Sequence, residues 1–168
     1  FIPISEFTKK QLIKNNIKES QIITIPSIFT PPKVAPFTIE KNGPIITYIG
    51  SLEKHKGLEL LINAFNNITS KATLIIAGDG PEKEYLKQIA NDRVLFLGHL
   101  SYEQTAALYK QSDIIVLPSL WPEPLSRVSI ESMYFEKPLI VTSVGGNPDY
   151  IKNGTSGYIV ASQEELTQ

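Results

Sequence analysis

From position 44 onward the sequence carries six short, near-continuous runs of Val, Ile, Leu and Tyr: 44–50 (PIITYIG), 72–78 (ATLIIAG), 94–98 (VLFLG), 113–117 (DIIVL), 138–142 (PLIVT) and 157–160 (GYIV). Short apolar runs that alternate with amphipathic stretches are the pattern of βα units feeding a parallel sheet. Because the runs lack polar alternation, they fit strands buried on both faces, as a parallel sheet covered by helices requires.

The intervening stretches read as helices. Leu58, Leu61, Ile62, Phe65 and Ile68 recur at three- and four-residue steps, which puts one apolar face towards the sheet. Pro81 stands where a first-turn proline would, ahead of Glu82, Glu84, Leu86 and Ile89. Ser101 can cap a third helix that carries Glu103 in its first turn and then Ala106, Leu108 and Tyr109. Ser126 can cap a fourth, reaching Glu136 before Lys137 and Pro138 stop it. With right-handed crossovers the fold class is α/β, an open doubly wound, Rossmann-like parallel sheet.

The first 43 residues differ. Positions 5–16 read as a helix with Phe7, Ile13 and Ile17 on it; 22–25 read as a strand. The stretch 27–43, with Pro31, Pro32 and Pro36, reads as an extended linker, and 163–168 as the start of a truncated helix.

Composition narrows the function. Lys plus Arg number 16 against 17 Asp plus Glu, a net charge of -1 that offers no global field to attract nucleic acid, although a local cationic pocket for one small anion is compatible with it. With no cysteine there is no disulfide, thiolate nucleophile or iron–sulfur cluster, and His55 and His99 alone cannot complete a histidine-rich zinc site. No apolar stretch approaches the roughly 18 residues that span a bilayer, and the opening FIPISEFTKK is not a signal peptide. The expected location is cytoplasmic, at most peripheral at the inner membrane surface. The absent initiator Met fits an excised piece.

In an open parallel sheet, ligands bind beyond the carboxyl ends of the strands. Four loops there carry unusual residues. The loop 50–57 (GSLEKHKG) hangs Lys54 and Lys56 beside a helix N-terminus, which is either a phosphate site or an ordinary βα loop with solvated lysines. It does not match the P-loop spacing. The loop 78–81 (GDGP) fails the dinucleotide fingerprint, since Lys83 takes the place of its third glycine. The stretch from Pro118 to Glu131 places Glu123 in a loop and Glu131 about a turn and a half past Ser126, so both carboxylates can look into one pocket and accept hydroxyl hydrogen bonds from a polyol. The alternatives are a loop charge, a surface helix charge or a glycosidase pair. In 143–149 (SVGGNPD), Gly145 and Gly146 permit either close approach to a ligand or a plain turn.

Taken in order, these motifs resemble the C-terminal, donor-binding domain of a GT-B retaining glycosyltransferase of family 4. Five signals carry the resemblance: G-S-L-x3-K-G from Gly50, G-x-G-P-x4-L from Gly78, V-x-F-x-G from Val94, E-P-L-S-x4-E from Glu123 and V-G-G-N-P-D from Val144. The Asn153-Gly154-x-x-Gly157 run that follows fits the same pattern. The resemblance implies a trailing segment of the N-terminal acceptor domain at 1–26, a linker at 27–43 and the donor domain at 44–162.

It also implies roles. Lys56 would pair with the diphosphate of a nucleotide-sugar, helped by the amides around Leu125 and Ser126. Glu131 would hold the ribose, and Glu123 the donor-sugar hydroxyls near the reacting carbon, which makes Glu123 and Lys56 the catalytic candidates. Gly50, Ser51, Gly78 and Gly80 would admit the donor, and the backbone near His99 and Leu100 would line the nucleobase. No metal or other cofactor is expected, and the sequence has no Asp-x-Asp. The implied partners are a nucleotide-sugar donor and, through another domain, a saccharide or lipid-linked acceptor. One departure stands out: Ser51 occupies the place of a usual second diphosphate contact, an Arg, for which Arg127 or Lys54 would have to substitute. The rival readings are a GT-B nucleotide-sugar epimerase and a catalytically idle nucleotide-sugar-binding module.

Overall fold

The computed structural model describes residues 1–40, 43–161 and 165–166. All six apolar runs become strands of one parallel sheet: β1 (Ile45–Ile49), β2 (Thr73–Ala77), β3 (Val94–Gly98), β4 (Ile114–Leu117), β5 (Leu139–Thr142) and β6 (Gly157–Val160). Their order is β3-β2-β1-β4-β5-β6. The chain builds outward from β1 through β2 to β3, then crosses back to lay β4 on the other edge of β1. That reversal makes the β1/β4 boundary the topological switch point, where a crevice opens beyond the carboxyl ends.

Strand alternation divides the core into two layers. Leu74, Ile76 and Val116 face α2 (Leu58–Asn66) and α3 (Lys83–Ile89), whose Leu58, Leu61, Ile62, Phe65 and Leu86 are all buried. On the opposite face, Ile115, Leu117, Leu139 and Val141 meet Tyr109 of α4 (Tyr102–Gln111) and Val128 of α5 (Arg127–Tyr134). There too, Ile45 and Ile75 pack with Leu108 and with Phe37 and Ile39 of the linker. Each fully buried aliphatic or aromatic side chain contributes about 1.5–3 kcal/mol, so α2 alone anchors a large part of its layer.

Helix ends follow the sequence at α4 and depart from it at the start of α3 and the end of α5. Ser101 caps α4 as expected: its Oγ accepts from the Gln104 amide at 3.2 Å, and Gln104 Oε1 accepts from the Ser101 amide at 2.9 Å. Pro81, however, is not in the first turn of α3. It lies in a preceding turn closed by Lys83 N–H to Gly80 C=O at 3.2 Å, because the Glu82 amide is held by Leu52 C=O at 3.0 Å in the neighbouring loop. The helix α5 stops at Tyr134 rather than Glu136. Glu136 turns left-handed at φ 55°, and the Lys137 and Glu136 amides return to Ser132 and Met133 carbonyls, so the chain reverses before Pro138.

At the front, α1 (Glu6–Lys14) starts at the Ser5 cap, and Ile17 follows its closing turn rather than lying on it. The stretch 22–25 is not a strand. Its ladder-like bonds among the described residues run from the Ile23 and Ile25 amides to the Phe1 and Pro3 carbonyls. Residues 27–40 are extended without regular structure; Lys41 and Asn42 fall outside the described residues. Of 163–168, only Glu165 and Leu166 are described, and both are helical. Asp149 Oδ2 accepts from the Phe7 amide at 2.7 Å and the Tyr150 hydroxyl donates to Ile4 C=O at 2.7 Å, so the turn after β5 carries the front segment.

Replacing Ser101 by Ala removes one half of the α4 capping box. Urea unfolding should show a loss of about 1 kcal/mol with an unchanged m-value.

Candidate functional site

The site is built where the β1 and β4 loops meet. After β1 the chain runs through Gly50, Ser51 and Leu52 into a 3-10 turn, Lys54–Lys56, and enters α2 through Gly57. Gly57 has φ 73°, and a Cβ there would stand 1.9 Å from Pro118 C=O. Only glycine lets this loop lie against the exit of β4. The Leu120 amide donates to His55 C=O at 2.9 Å and ties the two loops together.

This closeness brings Lys56 Nζ to 2.6 Å from Glu123 Oε1, and Ser119 Oγ donates to the same oxygen at 3.1 Å. The two charged side chains are 24% and 17% exposed, a sheltered pair rather than a surface one. They line a small cavity of about 70 Å³ with Tyr48, Gly50, Ser126 and Asn147. The Tyr48 hydroxyl donates to Ser51 C=O at 2.8 Å; burial first, and then the nearby Glu123 charge, push its phenol well above the ordinary range.

Gly50 also walls a second cavity of about 360 Å³, shared with Ser51, Gly78, Asp79, His99 and Leu100. Five residues chosen from the sequence therefore meet in one place. Gly80 does not line this cavity. A Cβ on it would stand 2.5 Å from Leu52 C=O, so it serves packing between loops. The Asp79 carboxyl, held below its ordinary range by hydrogen bonds from Lys83 and the Gly80 amide, is the acid on this rim.

The N-terminus of α5 differs from expectation. Ser126 sits at the cap position, but its hydroxyl caps nothing. Asn147 supplies the oxygen instead: its Oδ1 accepts from the Ser126 amide at 2.8 Å and from Ser129 Oγ at 3.0 Å. Asn147 is 2% exposed and reaches this point because Gly145 and Gly146 press the turn after β5 onto the Glu123 loop. A Cβ on Gly146 would stand 1.9 Å from Pro124 C=O, and the Gly146 amide donates to Glu123 C=O at 2.7 Å. The double glycine thus approaches the loop that carries Glu123 rather than a ligand. The Ser126 amide is spent on Asn147, whereas the amides of Leu125, Arg127 and Val128 have no acceptor among the described residues.

Arg127 points away from Lys56. Its Nε donates to Glu131 Oε1 at 2.8 Å and its guanidinium lies 4.7 Å from the Tyr102 ring centroid, so its charge is not directed into the Lys56 cavity as a substitute for Ser51. Lys54 does not line that cavity either. Arg127 and the Leu125 side chain border a different cavity, of about 460 Å³, with Tyr102, Ile130 and residues 27–30. Glu131, only 4% exposed, accepts the Tyr109 hydroxyl on Oε2 at 2.8 Å. Glu123 lines the Lys56 cavity, whereas Glu131, on the helix, is held by Tyr109 of α4 and by Arg127. Sequence reasoning missed Asn147 and Tyr109. Asn147 stands directly after the double glycine, and Tyr109 lies on the buried face of α4, where helical periodicity reports packing and not its hydroxyl partner. Among the described residues no group of His, Cys, Asp and Glu could hold a metal ion.

Residues 31–167 match the family described as glycosyl transferases group 1. The chain belongs to that family. It is 34% identical over 126 residues to an uncharacterized glycosyltransferase of Methanocaldococcus jannaschii, covering 71% of this chain and 32% of that protein. It is 33% identical over 127 residues to the alpha-D-kanosaminyltransferase of Streptomyces kanamyceticus, covering 71% and 33%. The chain spans about a third of the length of these relatives. Among solved structures, the Anabaena HepE complex with UDP superposes with a TM-score of 0.81 at 22% identity, over 99% of this chain and 51% of that one. A glycosyltransferase from Rickettsia africae gives 0.83 at 23% identity, with the same coverage. Family and fold together make this a GT-B glycosyltransferase C-terminal domain. No helix among the described residues is long and apolar enough to cross a membrane.

Two tests follow from the geometry. Asn147→Ala strands the Ser126 amide and the Ser129 hydroxyl in the interior and should cost about 1–3 kcal/mol in urea unfolding, whereas Ser126→Ala should stay within about 0.5 kcal/mol. Burial raises the phenols of Tyr48 and Tyr109 in the folded chain, so the stability they contribute is complete below about pH 10 and is lost as pH rises beyond it. In an alkaline titration, phenolate absorbance from these two should appear only as the chain unfolds, and Tyr48→Phe should remove one of the late-ionising groups.

Proposed function

We propose that this domain is the donor-substrate half of a retaining glycosyltransferase of family 4, which moves a hexosyl group from a nucleotide diphosphate sugar to an acceptor. The observation that carries the reading is the sheltered Lys56–Glu123 pair at the β1/β4 switch point, next to free amides at the start of α5 and beside the cavity walled by Gly50, Ser51 and Gly78. A cation, oriented amides and a hydroxyl-binding carboxylate within one crevice suit a ligand with an anionic centre and a polyol end.

In this reading the nucleobase enters the cavity bounded by His99 and Leu100, the ribose reaches Glu131, and the diphosphate lies between Lys56 and the amides of Arg127 and Val128. Lys56 uses one of its three N–H donors on Glu123 and offers the others to phosphate oxygens. Cleavage of the bond between the sugar and the phosphate leaves charge on the departing diphosphate, and fixed donors in a water-poor crevice stabilise that charge more than water does. Glu123 holds the donor sugar and favours the positive character that develops on it. Acceptor attack from the departing face gives retention. No metal or other cofactor is required, since Lys56 and the amides meet the leaving charge. The acceptor, a saccharide or a lipid-linked sugar, is held by another domain, so the chain alone binds donor without turnover. The expected setting is cytoplasmic or peripheral at the inner membrane surface.

The idle-module reading gains from one observation: neither Arg127 nor Lys54 reaches the cavity beside Ser51 to supply a second cation. Calorimetric titration with UDP, GDP and ADP and their glucose forms separates the readings. UDP is the first probe because the structural neighbour from Anabaena holds it. We expect one base to bind and Lys56→Ala to weaken it by at least tenfold, as loss of a charge-assisted hydrogen bond implies at about 1.5–3 kcal/mol. Binding by none of the six ligands would overturn both donor readings. Transfer regained on adding the acceptor-binding domain would set aside the idle module, and turnover by the chain alone would contradict the division of labour.

A further inference from the structure

The two oxygens of Glu131 have partners of opposite character. Oε2 accepts from the Tyr109 hydroxyl, which is buried with the rest of its side chain: Tyr109 is 1% exposed and its ring stacks on Phe135 at 5.2 Å and 11°. That donor cannot leave without opening the layer between α4 and the sheet. Oε1 accepts from Arg127, whose side chain is 70% exposed and rests on the Tyr102 ring. An exposed ion pair one helical turn long contributes little and exchanges readily.

We propose that Tyr109 is the positioning residue for Glu131 and that Arg127 is the exchangeable occupant of the one oxygen Tyr109 leaves open, so that a ribose diol binds by replacing Arg127 at Oε1. This rests on the proposed assignment of ribose to Glu131. By fixing Oε2, Tyr109 sets the plane of the carboxylate. The remaining oxygen is held by Arg127, which with Tyr102, Leu125 and Ile130 borders the cavity from which a ribose would approach. Without ribose, Arg127 covers that oxygen, a 2.8 Å contact to a carboxylate of little exposure. When a ribose arrives, its hydroxyls take over the acceptor, and the guanidinium keeps its place over Tyr102 or swings into solvent. Displacing Arg127 costs only a ligand whose ribose hydroxyls use Oε1, so Arg127 tempers the preference for ribose over deoxyribose that Glu131 gives.

The test is the ratio of affinities for a ribonucleoside diphosphate and its 2′-deoxy and 3′-deoxy forms, by calorimetry on one preparation, so that any unfolded fraction cancels. The probes are UDP, GDP and ADP, continued with whichever base binds. Tyr109→Phe keeps the stacked ring and should lower the ribose preference about threefold to tenfold, in line with one lost hydrogen bond to a charged group. Arg127→Ala should raise it roughly twofold to fivefold, the equivalent of one exposed ion pair. A purely structural role would weaken both ligands alike and leave the ratio unmoved. An unchanged ratio in Tyr109→Phe, or an unchanged or lower ratio in Arg127→Ala, overturns the proposal. Should Tyr109→Phe not fold, Arg127→Ala, at an exposed side chain, decides alone. Glu131→Gln separates the two levels of the argument: if it leaves the ratio unchanged, the ribose assignment itself fails, whereas if it lowers the ratio while the other two variants do not move it, only this inference fails.

Discussion

The reversal of strand order at β1 governs everything beyond the carboxyl edge of the sheet. β1 is paired on both sides, with β2 through five residues and with β4 through Ile46 and Thr47. The loops that leave β1 and β4 therefore start as close neighbours and must pass into helices on opposite faces, α2 on one and α5 on the other. Between them lies a crevice that no side chain of the sheet can fill. Its walls are set at backbone distance: the Gly57 Cα lies against Pro118, and the Gly146 Cα against Pro124, in contacts that leave no room for a Cβ. The functional side chains are thus placed by rigid loop-to-loop contact, which suits a site that must hold a few groups in fixed geometry.

Within that frame the charges are satisfied in pairs. Lys56 meets Glu123 at 2.6 Å and Arg127 meets Glu131 at 2.8 Å. Leaving the sheltered Glu123 unpaired would be costly, whereas the exposed Arg127 adds little to the hold that Tyr109 already has on Glu131. Under the proposed donor reading, the ligand enters by sharing or exchanging partners that are already present. The net charge of -1 is consistent with this arrangement, since a single diphosphate needs a local cation and oriented amides rather than a positive surface.

Buried polar groups supply the precision. Asn147 takes over the capping of α5 and in doing so fixes the direction of the amides that follow it; Tyr109 does the same for Glu131; Tyr48 holds the Ser51 carbonyl. Each acts from inside the core on a group at the crevice, and in the interior such bonds are costly to leave unmade.

The sequence alone determined the strands, because six apolar runs bounded by Gly, Pro and Asp have only one economical way to be buried, and it determined the family through the ordered motifs around Lys56 and Glu123. It also placed Gly50, Ser51, Gly78, His99 and Leu100 near one another, since residues at the ends of parallel strands share one edge. Tertiary structure decided the rest. Ser126 looked like a cap until Asn147, brought in from 21 residues away, took its amide. Arg127 looked free to reach a phosphate until Glu131 and Tyr102 claimed it. The spacing of Glu123 and Glu131 says nothing about their partners, which the fold supplies as Lys56 for one and Tyr109 with Arg127 for the other. Periodicity reports burial, which is a local property of the chain; hydrogen-bond partnership depends on which distant groups arrive first, and only the packed molecule decides that.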